Sequence, residues 1–406
     1  MRPPRFILRL TLACVATAVG LGFLATAEAG TLVVAGGRLS PEHEAVYRAT
    51  LDDRLTTGPL GVVPLASGVP ERSGPLTVQD FRQYVDDPGL VFDTEVVHDD
   101  PAYAGSAECA AVFASCGALW FTGGDQSRIT ANLRPAAGDT PGFRAVHELI
   151  ERGGVVGGTS AGAAMMSRWM LTGGSSADAM LLGARPGVDV PGVGYAQGMD
   201  LFPYGVIDQH FLRRGRFGRL LTACGQLEQD FGFGVSENRA MRVDLAAHTA
   251  RVIGDDGLTL LDLRLAEREG HGWSNVRLSI LSDGDVVGLR DGGVDIDPRR
   301  GPLATAGSAD VPPVSFPEMW DAHVVKLMVR VLAMNPGLPV TSTDGGFDYR
   351  MTADAQTRFF AGRASGKNET SLSALSIRLD VTPRDGLEQR IADRLAVVTD
   401  AEEPRP

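Results

Sequence analysis

An α/β fold, a three-layer sandwich around a mostly parallel sheet with antiparallel β-rich additions toward the C-terminus, is what this sequence predicts, on three observations. From Thr31 to about residue 160, short apolar runs alternate with amphipathic stretches, the pattern of a parallel sheet covered on both faces. Two glycine-rich clusters, at residues 122–124 and 157–162, each follow an apolar run, and open α/β sheets bind ligands beyond the carboxyl ends of their strands. After about residue 230, short β-rich runs are separated by turns at Asp255-Asp256-Gly257, Asp283-Gly284 and Asp291-Gly292-Gly293, which read as hairpins.

Taken in order, Thr31 to Ala35 is a compact buried-strand pattern closed by Gly36-Gly37. Residues 41–54 read as a helix, 61–65 as a strand, 77–86 as a helix capped by Thr77, and 91–97 as a strand. The Ala-rich stretch 106–115 is helical, Ala118 to Phe121 is a strand running into Thr122-Gly123-Gly124-Asp125, and 141–152 is a helix. Residues 300–313 are rich in Pro, Gly and Ala and read as a loop. The stretch 316–334 reads as one long helix with Val324, Leu327, Met328 and Val331 on its apolar stripe, and 372–381 as a final strand. The chain divides into residues 1–29, a main unit over 30–300 and a C-terminal extension over 301–406.

The first 29 residues have the three parts of a secretory leader. Arg2, Arg5 and Arg9 precede an apolar run from Leu10 to Leu24, and Ala27-Glu28-Ala29 puts small residues where a signal peptidase reads. The run is short for a membrane span, which needs about 20 apolar residues, although an uncleaved anchor is the competing reading. A secreted or periplasmic protein follows, with no membrane attachment after cleavage. The formal net charge is −12, and removing the leader takes away three Arg and one Glu, leaving about −14. Such an acidic chain is a poor nucleic-acid binder because phosphates would be repelled. Cys109, Cys116 and Cys224 remain after the leader. In an oxidising compartment Cys109 and Cys116 are the nearer candidates for a disulfide, against the reading that all three are buried thiols.

The strongest motif is Gly157-Gly158-Thr159-Ser160-Ala161-Gly162-Ala163-Ala164, which holds G-x-S-x-G between an apolar strand and a helix-forming run. A serine raised on a strained strand-to-helix turn needs small neighbours at both Gly positions. Such a turn exposes the hydroxyl of Ser160 and aims the Ala161 N–H at a developing oxyanion, with a helix N-terminus adding partial positive charge. The alternative is a tight turn or a phosphate-cradling loop. A serine needs a base, and His210 ends the run Tyr204 to His210, an apolar strand that turns polar at its end. Glu237 ends another apolar run, Phe231 to Val235, and would fix the imidazole tautomer. The order Ser, His, Glu disfavours the α/β-hydrolase fold, whose order is Ser, acid, His. Gly123 and Gly124 let the backbone approach a substrate, or form an ordinary turn. Arg216 and Arg219 are three apart and would share a helix face, as forks for carboxylates or as a solvated basic face.

Phe121-Thr-Gly-Gly-Asp-Gln126, Gly158-Thr-Ser-Ala-Gly162, and Asp208-Gln-His-Phe211 followed by Arg214, Arg216 and Arg219, in that order, resemble the cyanophycinases. These are serine peptidases related to aspartyl dipeptidase E, on a scaffold similar to class I glutamine amidotransferases. The resemblance covers roughly residues 31–300 and implies a catalytic peptidase domain there; it is weaker over the extension. It implies cleavage of the polyaspartate backbone of cyanophycin, releasing β-aspartyl-arginine dipeptides. It further implies Ser160 as nucleophile, His210 as general base and Glu237 as its partner, with Gly123, Gly124 and Ala161 at the oxyanion. Gln126, Asp208, Gln209, Arg214, Arg216 and Arg219 match positions expected to line the substrate groove. Asp125 or Asp208 would meet the substrate guanidinium or order the site. No cofactor is implied, and no metal-ligand spacing is present. Relatives are often homodimers. One departure is Ser236, where many relatives carry Asp before the Glu, which bears on how the acid is hydrogen-bonded. The stretch 172–198 reads as a lid or specificity loop. Competing functions are an exopeptidase for short aspartyl or isoaspartyl peptides, a non-catalytic secreted binding protein, and, least favoured, a lipase or esterase.

Overall fold

The computed structural model describes residues 30–52, 57–303, 313–363 and 370–402. The leader expected over 1–29 and most of the 300–313 loop lie outside the described residues. The first thirteen strands are β1 (Thr31–Ala35), β2 (Leu60–Val63), β3 (Val91–Asp93), β4 (Ala118–Phe121), β5 (Val155–Thr159), β6 (Trp169–Leu171), β7 (Ala184–Pro186), β8 (Val193–Gln197), β9 (Val206–Asp208), β10 (Phe231–Val235), β11 (Ala240–Asp244), β12 (Thr249–Ile253) and β13 (Leu258–Asp262). Among the described residues, nine strands form a first sheet. Its centre is parallel, in the order β1, β5, β4, β2, β3. Antiparallel β11 and β12 extend it beyond β1.

Burial explains why the parallel strands read as continuous apolar runs. Along β1, Leu32 and Val34 enter one core with Phe121, Phe143 and Val156, while Val33 and Ala35 enter another with Tyr47, Phe81 and Trp120. Both faces are covered, so the period-2 alternation leaves no polar face.

The antiparallel additions are larger than a single sheet would take. A second sheet holds β9, β10 and β13, then Gly272–Leu281, Thr370–Pro383, Phe347–Thr352, Val340–Asp344 and Val314–Pro317. Strand β9, which leads into His210, therefore belongs to this second sheet, parallel to β10, and not to the parallel sheet that carries Ser160. Strands from the C-terminal extension complete the sheet whose other end is β9. A three-stranded sheet, β6-β8-β7, with the helix Ser176–Leu182, occupies 169–197. The stretch read as a lid is thus an ordered unit.

Several local expectations shift. The helix expected over 77–86 runs Pro70–Arg82, starting at a proline in its first turn rather than at Thr77. Gly74 within it lets Asp93 approach, since a Cβ there would lie 1.9 Å from the carboxylate. The long helix expected over 316–334 is instead a strand, Val314–Pro317, and a helix, Val324–Met334. The backbone of His323 is left-handed, with φ +73°, and breaks the helical path. On that helix Val324 and Met328 are buried as expected, Leu327 is exposed, and Val325, Val329 and Leu332 complete the inner face. The disulfide expected between Cys109 and Cys116 is not formed. All three described cysteines are free and buried. Burial pushes the Cys116 thiol up to about 11 and Cys109 to about 12, so neither offers a thiolate at neutral pH. Among the described residues no helix is long and apolar enough to cross a membrane, and no cluster of three His, Cys, Asp or Glu is placed to hold a metal.

Candidate active site

Strand β5 is buried until its last residue, and the chain then turns sharply at Ser160, with φ +55° and ψ −110°. That conformation costs a non-glycine residue about 1–3 kcal/mol, so the surroundings must hold it. The Ser160 N–H donates to the Ala35 carbonyl of β1 at 3.0 Å. A Cβ on Gly158 would lie 2.4 Å from the Gly162 carbonyl oxygen, and one on Gly162 would lie 2.2 Å from that of Phe121. Both glycines of the motif are therefore required by close backbone packing. The helix that follows, Ala161–Ala164, is a single turn. The electrostatic help expected from a helix N-terminus reduces to the Ala161 N–H itself. Gly123 faces the serine: a Cβ there would sit 3.4 Å from the Ser160 Cβ and 3.9 Å from its Oγ. Among the described residues, neither the Gly123 nor the Ala161 N–H is hydrogen-bonded to a backbone carbonyl. Gly124 packs the other way, onto the Ala66 carbonyl.

His210 follows β9 and is buried. Its backbone, at φ +52°, is fixed by its N–H donating to the Gly36 carbonyl at 2.7 Å. The imidazole spans the two sheets: Nε2 is 2.8 Å from Ser160 Oγ, and Nδ1 is 2.7 Å from Glu237 Oε1. With a carboxylate at Nδ1 the proton sits there, and Nε2 is left as the acceptor of the serine hydroxyl. Such a chain can draw a proton from Oγ as it attacks a carbonyl and return it to a leaving amine.

Three residues that sequence reasoning did not assign to the site complete it. Gly37 lies under the imidazole, Arg38 Nε is 3.4 Å from Glu237 Oε1, and the Asn238 N–H donates to the Gly37 carbonyl at 2.8 Å. The Gly36-Gly37 pair was visible in the sequence only as a strand terminator. Ser236 turns away from Glu237, its hydroxyl donating to the Asp256 carbonyl at 3.0 Å.

The residues expected to line a groove divide into two groups. Asp208 and Arg219 are buried against each other, Arg219 Nε donating to Asp208 Oδ2 at 2.7 Å. Arg216 and Arg219 do share a face, but they converge on Asp208. Breaking such a pair would strand a buried charge, so Asp208 and Arg219 order the loop behind His210. Arg219 also donates to the Gly174 carbonyl at 3.0 Å, tying the 169–197 unit to this loop. Gln209 is buried, and its side chain and carbonyl accept from Arg216 Nη1. Gln126 is buried too, donating to the Leu171 carbonyl. Asp125 caps the helix Gln126–Leu133 by accepting from the Ser127 N–H at 2.8 Å. Arg214 is exposed, and Arg216 is half-buried.

No family model matches the chain. Over 241 residues it is 33% identical to the cyanophycinase of Synechococcus elongatus, covering 57% of this chain and 70% of that protein. The cyanophycinase of Thermosynechococcus vestitus matches to the same extent. The chain belongs to the cyanophycinase family. The cyanophycinase of Geminocystis herdmanii is 34% identical over 180 residues, 42% of this chain and 61% of that one. Among solved structures, a peptidase from an acI-B1 Actinobacterium aligns at 17% identity with a TM-score of 0.47, over 65% of this chain and 98% of that chain. Membership makes this protein a peptidase, and a serine-type centre is consistent with it.

In this cyanophycinase-family protein, burial pushes the His210 imidazole below the ordinary histidine value of 6.5. The hydrogen bond that the ring donates to Glu237 acts against that shift, and the Arg214 and Arg216 charges add to it. The imidazole is therefore neutral, and able to accept a proton, at neutral pH. The acid limb of kcat/KM is expected below pH 6.5. Arg214→Ala removes a cation that disfavours the imidazolium, so the limb should move to higher pH, with the effect shrinking in added salt. A pH–rate profile of the two proteins checks this, and coincident limbs would count against His210 as the titrating base.

Proposed function

We propose that this protein is a secreted cyanophycinase that hydrolyses the polyaspartate backbone of cyanophycin and releases β-aspartyl-arginine dipeptides. The observation that carries the reading is the hydrogen-bonded Ser160–His210–Glu237 chain in a protein 33% identical to cyanophycinases over 241 residues. In this reading Ser160 Oγ attacks the aspartyl carbonyl while His210 Nε2 takes its proton, and Glu237 stabilises the imidazolium. The N–H groups of Ala161 and Gly123, with Gly124 shaping the loop, hold the oxyanion. The tetrahedral intermediate collapses, the C–N bond breaks, and the amine leaves with the proton from His210. Water, deprotonated by His210, then attacks the acyl-enzyme, and Ser160 is released with its proton restored.

Residues 30–300 form the catalytic domain in this reading, on a class I glutamine amidotransferase-like scaffold. In this reading Arg214 and Arg216 meet the substrate, while Gln126, Asp208, Gln209 and Arg219 fix the groove's shape. Residues 1–29 support export. The test is turnover of insoluble cyanophycin by the purified protein, with products identified by mass. Release of β-aspartyl-arginine supports the proposal. Activity confined to free aspartyl dipeptides would make the protein an exopeptidase, and no hydrolysis of either would move it to the binding proteins.

A further inference from the structure

Beside Glu237 lies a cleft of about 450 Å³ that the chemistry above does not use. Its walls come from three parts of the chain. Arg38 follows β1, Arg213 stands three residues beyond His210, and His323 and Lys326 belong to the C-terminal extension. The extension is pressed against this wall. The His323 N–H donates to the Leu212 carbonyl at 3.3 Å. Gly215 has φ +55°, and a Cβ there would lie 1.8 Å from the Trp320 carbonyl oxygen.

Two of the cleft's three carboxylates are committed, while the third, Asp255, keeps one oxygen buried without a hydrogen-bond partner among the described residues. Glu237 is held by His210 and Arg38, and Asp256 by Lys326 and Arg330. Arg239 spends its guanidinium on the carbonyls of Asp255 and Asn238. Arg213 is exposed, and no carboxylate among the described residues lies within ion-pair distance of it. In a chain of net charge −12, this leaves an uncompensated cation at the rim of a cleft that shares Glu237 with the site.

The position of the cleft gives it a meaning. A leaving amine takes its proton from His210 Nε2, so the leaving part of a polymer lies on the imidazole side of Ser160. The cleft meets the catalytic chain at Glu237, which lies beyond the imidazole from Ser160. We propose that it is a leaving-side subsite for the free α-carboxylate of an arginine-bearing aspartyl unit. Arg213 supplies the fork that receives the carboxylate, Arg38 flanks it, and the extension contributes the opposite wall. Arginine forks match carboxylates in this way. The subsite rests on the proposed cyanophycin reading.

The test uses a soluble β-aspartyl-arginine oligomer with free or amidated arginine carboxylates, on the wild-type protein and on Arg213→Gln. Amidation is expected to raise the wild-type KM about tenfold, the loss of one charge-assisted contact. Arg213→Gln should raise KM about tenfold on the free acid with kcat little changed, and should shrink the discrimination between the two oligomers. An unchanged KM, or undiminished discrimination by the variant, overturns the subsite. Should the wild type cleave neither oligomer, the activity reading is what fails, and calorimetric binding of the free-acid oligomer to Ser160→Ala protein decides the cleft. Affinity that falls about tenfold on adding Arg213→Gln upholds it; absent or unchanged binding overturns it.

Discussion

Ser160→Ala is expected to abolish peptidase turnover, lowering kcat by about 10³–10⁶-fold, while leaving a protein that unfolds within about 0.5 kcal/mol of wild type. The activity term follows from geometry: Oγ is the atom that His210 Nε2 faces at 2.8 Å, and alanine has nothing to put there. The stability term is small because alanine at φ +55° is as strained as serine and the packing glycines on either side are untouched. Ser160→Gly separates strain from chemistry. It should be as inactive as the alanine variant yet about 1 kcal/mol more stable, because glycine adopts positive φ without penalty and loses part of that gain to backbone entropy. Steady-state rates with denaturant titrations of the three proteins make the comparison. Retained turnover in Ser160→Ala would remove the serine from the chemistry, and equal stability of the alanine and glycine variants would remove the stored strain.

What the sequence makes legible here is what local pattern encodes. The elbow is readable because apolar β5, two packing glycines and a helix-forming run are contiguous. His210 and Glu237 are readable because each ends an apolar strand, although nothing local says that these strands belong to a different sheet from Ser160. Gly37, Arg38 and Asn238 are not readable as site residues, because their roles arise only when β1 sits between β5 and β11 and delivers the Gly36 carbonyl to the His210 N–H. The shared face of Arg216 and Arg219 follows from helical spacing. Their common partner Asp208 lies on the preceding strand, so a substrate fork and a buried ion pair look alike in sequence. Cys109 and Cys116 are close in sequence, but burial, which spacing does not report, leaves both as thiols. The break within 316–334 depends on left-handed backbone at Glu318 and His323, which the apolar periodicity conceals.

Gly37→Ala should strongly damage activity although the residue carries no functional group. At φ +98°, an added Cβ would lie 2.3 Å from His210 Cε1 and 2.4 Å from Nε2. Neither side can yield cheaply. The His210 backbone is tethered to the Gly36 carbonyl, its Nδ1 to Glu237, and the Gly37 carbonyl accepts from Asn238. The ring must tilt away from Ser160, and a displacement of about 1 Å at a reacting atom costs roughly 10²-fold. A fall in kcat of about 10²–10³ is expected, together with a stability loss of about 1–3 kcal/mol from the positive φ and the contact. Gly138→Ala is the control. That glycine also has positive φ, +122°, but a Cβ there would meet nothing within 4 Å. It should lose about 1–2 kcal/mol of stability and keep full activity. If Gly37→Ala matched this control, retaining turnover with only a conformational penalty, the imidazole would not be seated on Gly37 in solution, and the alignment of Ser160, His210 and Glu237 would have to arise from some other contact.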